Sequence, residues 1–155
     1  MRQLRSVRLD FTDTAPTRLV SVSRLNAPAE AVFRALAREV EAYPEWFPGV
    51  RAARAEGDHR EVSLRGGTRF VETVLCAEEA ERYTYRTDST NAPGVSALLE
   101  DWRLLPDGHG GTRVRWVVAA DGPLPVRGTL RLSRVGAAWV LRRGLRRLER
   151  RLGEE

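Results

Sequence analysis

The sequence predicts an α+β fold: seven antiparallel strands and a long C-terminal helix, with two short helices after the first strand. Three observations lead there. Residues 50 to 121 break into short alternating runs rich in valine, threonine and aromatics; residues 138 to 152 carry leucines at helical spacing; and residues 26 to 50 combine a helix start with clustered aromatics. With 155 residues the chain has the size of one domain, enough to bury a real core.

Taken in order, residues 3 to 11 alternate weakly, so residues 1–16 are expected as an N-terminal extension, either an added edge strand or a loose arm. Residues 17–152 are then expected to form a single domain. Arg18 to Leu25 alternates as Leu19, Ser21 and Ser23 against Val20, Val22 and Arg24, which is a strand pattern. Pro28 follows at a position favoured in a first helical turn, and Val32, Phe33, Leu36 and Val40 recur at helical spacing. This helix should stop before Pro44. Trp46 and Phe47 then lie between Pro44 and Pro48. One reading makes them an aromatic lid over a ligand cavity, and another makes them a short helix packing its rings into the core.

Turn residues at Gly57-Asp58, Gly66-Gly67, Glu78 to Glu81, Asn91 to Gly94 and Pro106 to Gly111 divide the next segment into six strands. These are expected at 50–56, 60–65, 68–76, 82–88, 96–105 and 112–120. Asp121-Gly122-Pro123 ends the strands, and from Leu124 or soon after one long helix runs to near the C-terminus. On it Ala138, Leu141, Leu145, Leu148 and Leu152 form one stripe. Arg142, Arg143, Arg146, Arg147, Arg150 and Arg151 fall opposite. That basic face reads as an anion-binding or membrane-surface ridge, or simply as a solvated face whose cations suit a helix C-terminus.

Composition excludes some classes. No apolar run approaches the roughly 20 residues that cross a bilayer, and no secretory h-region follows the arginine-rich start, so a cytoplasmic location is expected. One cysteine, Cys76, excludes an internal disulfide and a cysteine-clustered zinc site. The formal charge is +5, and all 26 basic residues are arginine, a bias that a GC-rich coding sequence explains. The basicity is local: Arg127 to Leu152 holds nine arginines and one acid, Glu149, while the rest of the chain is net negative. A nucleic-acid partner is therefore not expected, and peripheral membrane contact stays open.

Strand parity supplies the candidate site, because alternate side chains share one face and the mainly apolar set should point inward. The inward sets are Val62 and Leu64; Phe70, Glu72, Val74 and Cys76; Tyr83, Tyr85 and Thr87; Leu98, Glu100, Trp102 and Leu104; and Val114, Trp116, Val118 and Ala120. Glu72 and Glu100 occupy phases otherwise filled by apolar side chains. An unpaired charge there is costly, so each is a candidate to hydrogen-bond a ligand or to act as a general acid or base with a raised pKa. The plainer alternative is that each sits near a strand end or pairs with an arginine. Arg127, Arg131 and Arg134 project from the start of the expected helix on nearly the stripe that later carries the leucines, so Arg131 and Arg134 are candidates to orient a polar ligand group. Gly128 and Gly136 leave that assignment open to a bend in the helix. His59 and His109 fall in hairpin loops, where solvated turn residues are the rule. No metal site and no cofactor are expected, no Ser-His-Asp or Cys-His set can be composed, and the glycine-rich loop at Gly108 to Gly111 precedes a strand rather than the helix that phosphate binding needs.

The order β-α-α-β6-α, with Ala27-Pro28-Ala29-Glu30-Ala31-Val32-Phe33, Tyr43-Pro44-Glu45-Trp46-Phe47-Pro48 and Gly111-Thr112-Arg113-Val114-Arg115-Trp116, resembles the helix-grip fold of the START-like superfamily, most closely its polyketide cyclase/dehydrase branch. The resemblance spans about residues 17 to 152 and implies that this single domain binds a ligand. It implies a curved sheet wrapping the long helix around a cavity, in a branch that includes aromatase/cyclases, quinone-binding chaperones and lipid carriers. The first functional expectation is binding or transport of an apolar small molecule, ring-containing or isoprenoid, with Trp46, Phe47, Phe70, Tyr83, Tyr85, Trp102 and Trp116 around it and a polar end at Glu72, Glu100 or Arg131. The alternative is a polyketide aromatase/cyclase, with Glu72 or Glu100 catalytic, although no motif here carries a cyclase's catalytic residues over position by position. A further alternative takes the basic helix as a quinone-chaperone, ribosome or RNA contact. The chain is expected as a monomer or homodimer.

Overall fold

A strand that alternates apolar and polar side chains must bury one face, and here helices cover that face from the concave side of the sheet. The computed structural model describes residues 1–123 and 133–155. In chain order the elements are β1 (Arg2–Gln3), α1 (Phe11–Thr14), β2 (Thr17–Leu25), α2 (Ala29–Ala37), a 3-10 turn (Val40–Ala42), α3 (Tyr43–Trp46), β3 (Val50–Glu56), β4 (His59–Leu64), β5 (Arg69–Glu78), β6 (Arg82–Thr90), β7 (Ala97–Pro106), β8 (Thr112–Asp121) and α4 (Arg134–Gly153). The sheet order is β2-β8-β7-β6-β5-β4-β3, and β1 pairs with β6. Every pairing is antiparallel. The seven expected strands are all present within a residue or two of their expected bounds, and the eighth is the short β1.

The N-terminal extension is more than an edge strand. Beyond Arg86, β6 parts from β7, and β1 takes the vacated side at Ser89 and Thr90. The chain then crosses the convex face, where Val7 and Phe11 bury Ala97, Leu99 and Ala119. An Arg5–Asp121 ion pair at 2.8 Å fastens the crossing.

On the concave side, α2 begins at Ala29 with an extended Pro28 before it, and its buried residues include Val32, Phe33 and Leu36. The helix ends at Ala37, and Val40 is buried in the following turn. Pro44 opens the next helix, α3, where a missing N–H costs nothing. The leucine stripe of α4 behaves as expected: Leu141, Leu145 and Leu148 are buried. Gly144 lies on the same side, and a Cβ there would come within 3.2 Å of Pro48 Cδ, so the absent side chain is what lets the α3 turn seat against α4. Arg151 ties that turn down through Glu39 and Glu45 and so leaves the expected basic ridge. The expected stretch of helix from Leu124, with Arg127, Gly128 and Arg131, lies outside the described residues. Among the described residues no helix is long and apolar enough to cross a membrane.

One phase assignment is corrected. The register of β5 against β6 shifts twice, once at Asp88 of β6, opposite Val71 and Glu72, and once at Leu75 of β5, between Val74 and Cys76. An extra residue in one strand reverses the facing of everything beyond it. Val74 still pairs with Tyr85 on the concave side, but Cys76 pairs with Thr84, whose hydroxyl bonds Asp101 on the convex side. Cys76 is thus turned away from the cavity, half-buried, with its thiol 3.5 Å from Glu78.

Leu145→Asp is expected to abolish cooperative thermal unfolding by circular dichroism, because an unpaired carboxylate at a site 2% exposed costs several kcal/mol. Phe11→Ala should leave the fold intact and lower its stability in a urea titration by about 3 kcal/mol. A cost near zero would mean that the convex face needs no cover.

Candidate functional site

A row of cross-strand neighbours supplies the polar floor of an otherwise apolar cavity. Arg60 on β4 stands directly opposite Glu72 on β5, and Tyr85 on β6 stands opposite Glu100 on β7. Arg60 is only 1% exposed, so its charge has to be matched inside the protein. Its Nη1 donates to the hydroxyls of Tyr83 at 3.0 Å and Tyr43 at 3.2 Å. Nη2 lies 3.3 Å from Glu72 Oε1, and the guanidinium sits 4.0 Å from the centre of the Tyr85 ring. Tyr43 in turn donates to the Leu36 carbonyl at 2.6 Å, which couples the end of α2 to the cluster.

Glu100 accepts from Trp116 Nε1 at 3.0 Å, and Tyr85 accepts from Trp102 Nε1 at 3.2 Å. The two indoles stack with centroids 5.0 Å apart, and Phe47 meets both edge-on. The cavity between this floor and α4 has a volume of about 300 Å³. Phe47, Phe70, Tyr85, Trp116 and Val140 line it together with Arg60, Glu72 and Glu100.

Burial pushes the Glu72 carboxyl up from 4.5 to about 8. Arg60 opposes that rise without cancelling it, and the charge of Glu100 adds to it. Burial also raises Glu100, against the pull of Arg60 and of hydrogen bonds from Trp116 and Tyr85. Burial raises Tyr85 as well, with the Glu100 charge adding to it, so its phenol keeps its proton. Burial thus favours the protonated form of Glu72, against the pull of the guanidinium beside it. Among the described residues Arg60 Nε has no hydrogen-bond partner, and Glu72 Oε1 has none beyond its ion pair with Arg60 Nη2. The site can therefore give hydrogen bonds to a carbonyl, enol or phenol oxygen, and can exchange a proton with it.

The residues expected from parity divide into three groups. Phe47, Phe70, Glu72, Tyr85, Glu100 and Trp116 line the cavity. Trp46, Tyr83 and Trp102 are buried behind it: Trp46 packs beneath α4 at Gly144, Tyr83 supports Arg60, and Trp102 backs Trp116. Trp46 thus packs into the core, while its neighbour Phe47 lines the cavity. Arg134 is exposed at the start of α4 and does not line the cavity, and Arg131 lies outside the described residues. His59 and His109 are exposed in their hairpins. Among the described residues no group of three His, Cys, Asp or Glu side chains is placed to hold a metal ion.

Sequence reasoning missed Arg60. The signal was present, because Arg60 shares its phase with Val62 and Leu64, and the same parity argument that selected Glu72 selects it.

A family model described as polyketide cyclase/dehydrase and lipid transport matches residues 17–153. The chain belongs to that family. No match is found among curated proteins. Solved structures with the same fold include a START superfamily protein from Mycobacterium smegmatis, 17% identical over 88% of this chain and 97% of that one, with a TM-score of 0.69. The protein XoxI from Bacillus cereus is 15% identical over 86% of this chain and 94% of its own, with a TM-score of 0.70. The Zhui aromatase/cyclase from Streptomyces sp. R1128 is 17% identical over 87% of this chain and 94% of its own, with a TM-score of 0.68. At these identities the likeness is one of fold.

The raised Glu72 pKa has a signed consequence. Below about 4.5 the carboxyl is protonated whether the chain is folded or not; between 4.5 and about 8 the unfolded chain has lost the proton that the folded protein keeps. The folded state then binds more protons, so stability falls as pH rises through that window, by up to about 1.4 kcal/mol per pH unit, and levels off above it. Glu72→Gln should flatten the slope in urea titrations at a series of pH values. An unchanged slope in the variant would show that Glu72 titrates normally.

Proposed function

We propose that this member of the polyketide cyclase/dehydrase and lipid transport family binds an apolar, ring-containing small molecule in the cavity, with the molecule's oxygen end at Arg60, Glu72 and Glu100. The observation that carries this reading is Arg60 Nε, a buried donor with no hydrogen-bond partner among the described residues, at the floor of an aromatic-walled space. Buried polar atoms are nearly always paired, and a bound hydroxyl or carbonyl oxygen would pair this one. Size narrows the class. A dry cavity of about 150 Å³ takes a benzene ring, so the 300 Å³ here suits a molecule of roughly two rings better than a two-chain lipid. Binding would come mainly from apolar burial, with the polar floor fixing orientation.

A second reading is favoured by one observation, the burial of Glu72 in the cavity floor, which pushes its carboxyl up to about 8. An acid poised near neutrality and within reach of a ligand oxygen suits acid-base work on a poly-β-ketone, with Arg60 beside it to stabilise an enolate oxygen. This is the aromatase/cyclase alternative.

Native mass spectrometry of protein purified from its own host should reveal a co-purifying small molecule. In a panel of mono- and bicyclic phenols, quinones and fatty acids, ring compounds should raise the melting temperature and alter the emission of Trp116, the tryptophan that lines the cavity. If no compound does either, side chains alone fill the cavity and the binding reading fails. For the second reading, turnover of a reactive polyketide surrogate should fall at least tenfold in Glu72→Gln or Glu100→Gln and survive a double His59→Ala, His109→Ala change. The opposite pattern would move the chemistry to the hairpins.

A further inference from the structure

The face of α4 turned away from the core carries a pattern that the cavity does not use. At 100° per residue, Val135, Trp139, Arg142, Arg143, Arg146 and Arg150 fall within about 100° of arc. Val135 is 76% exposed and Trp139 51% exposed, and they are among the few large apolar side chains left open to solvent. Arg143 lies over the Trp139 ring at 5.6 Å. Trp139 and the four arginines line one shallow groove.

The charges on this face are not neutralised within the protein. None of Arg142, Arg143, Arg146 and Arg150 forms an ion pair among the described residues. Glu149 borders the groove, but its carboxylate is held by the backbone N–H of Asn26 at 3.0 Å and the Asn26 side-chain amide at 3.2 Å. By contrast Arg151, one position past the ridge, is fully engaged by Glu39 and Glu45. Arg151 is thus neutralised by Glu39 and Glu45, while Arg142, Arg143, Arg146 and Arg150 have no ion-pair partner among the described residues.

We propose that this face of α4 docks on an anionic lipid bilayer, with Trp139 and Val135 in the headgroup region and the arginines on lipid phosphates and carboxylates. A helix lying in the interface needs this combination: cations for the anionic surface, an indole for the headgroup level and an aliphatic side chain reaching toward the acyl boundary. A single-stranded RNA would also meet the arginines and stack on Trp139, but Val135, more exposed than Trp139, offers no flat face to a base. Position adds to the argument. Val140, next to Trp139, lines the cavity, so docking on this face would bring the cavity beside the membrane. The proposal stands whether or not the cavity holds the ligand class proposed above.

The test is flotation of the full chain, free of added ligand, with phosphatidylcholine vesicles with and without phosphatidylserine. Binding should require phosphatidylserine, weaken with salt, and shift the tryptophan emission to the blue, a shift that Trp139→Phe should largely remove. The triple change Arg142→Gln, Arg146→Gln, Arg150→Gln should weaken vesicle binding on the order of a hundredfold. Its melting temperature should not change, since all three side chains are exposed. A charge-matched control, Arg51→Gln, Arg65→Gln, Arg113→Gln, alters exposed arginines elsewhere and should bind nearly as the native chain does. Equal loss in both triples would reduce the effect to net charge and overturn the proposal. So would binding that ignores phosphatidylserine, or a single-stranded RNA that binds the ridge while the vesicles do not.

Discussion

A guanidinium shut away from water must be surrounded by acceptors, counter-charge or aromatic faces, and much of this structure is arranged around that demand at Arg60. Removing an ion from water costs several kcal/mol even after relaxation, so the surroundings have to be exact in type if not in energy. Three tyrosines and a glutamate meet it, drawn from α3, β5 and β6. Tyr43 is there only because α2 ends where its Leu36 carbonyl can receive the phenol. The short helices, which enclose one side of the cavity, are thereby pinned to the strands that form its floor.

The same cluster explains why the cavity is more than a packing defect. An empty apolar space could be filled by larger side chains at modest cost. A space whose floor holds one cation and two carboxyls with raised pKa values is not so easily filled, because the filling group must also satisfy Arg60 Nε. The proposed occupant, an apolar body with an oxygen at one end, would suit both the packing and the electrostatics.

Two further features follow from how the sheet is covered. Its concave face is closed by helices, but Ala97, Leu99 and Ala119 on the convex face would stand in water without the N-terminal extension. The extension works as a seal there, while β1 completes the hydrogen bonding of β6 where β7 departs. On the other side α4 has two separate tasks. Its leucines and Gly144 close the core against the α3 turn, and its arginines and Trp139 remain at the surface.

By itself the sequence determined what depends on period and punctuation: seven strands and their order, the leucine stripe of α4, the aromatic turn at Pro44 to Pro48, and the inward phase of Glu72 and Glu100. Local backbone geometry sets those patterns, so they can be read locally. What it did not determine depends on groups distant in the chain. Arg60 lay in an inward phase, yet a charged residue reads as solvated until three tyrosines and Glu72 are seen around it. Cys76 changed face because of an irregularity in β5 that leaves no mark in its composition. Trp46 and Phe47, adjacent and alike in sequence, parted because the absent Gly144 side chain lets one ring under α4 while the other turns to the cavity. Only the tertiary structure decided these, because burial, register and close approach are set by the partner element as much as by the residue itself.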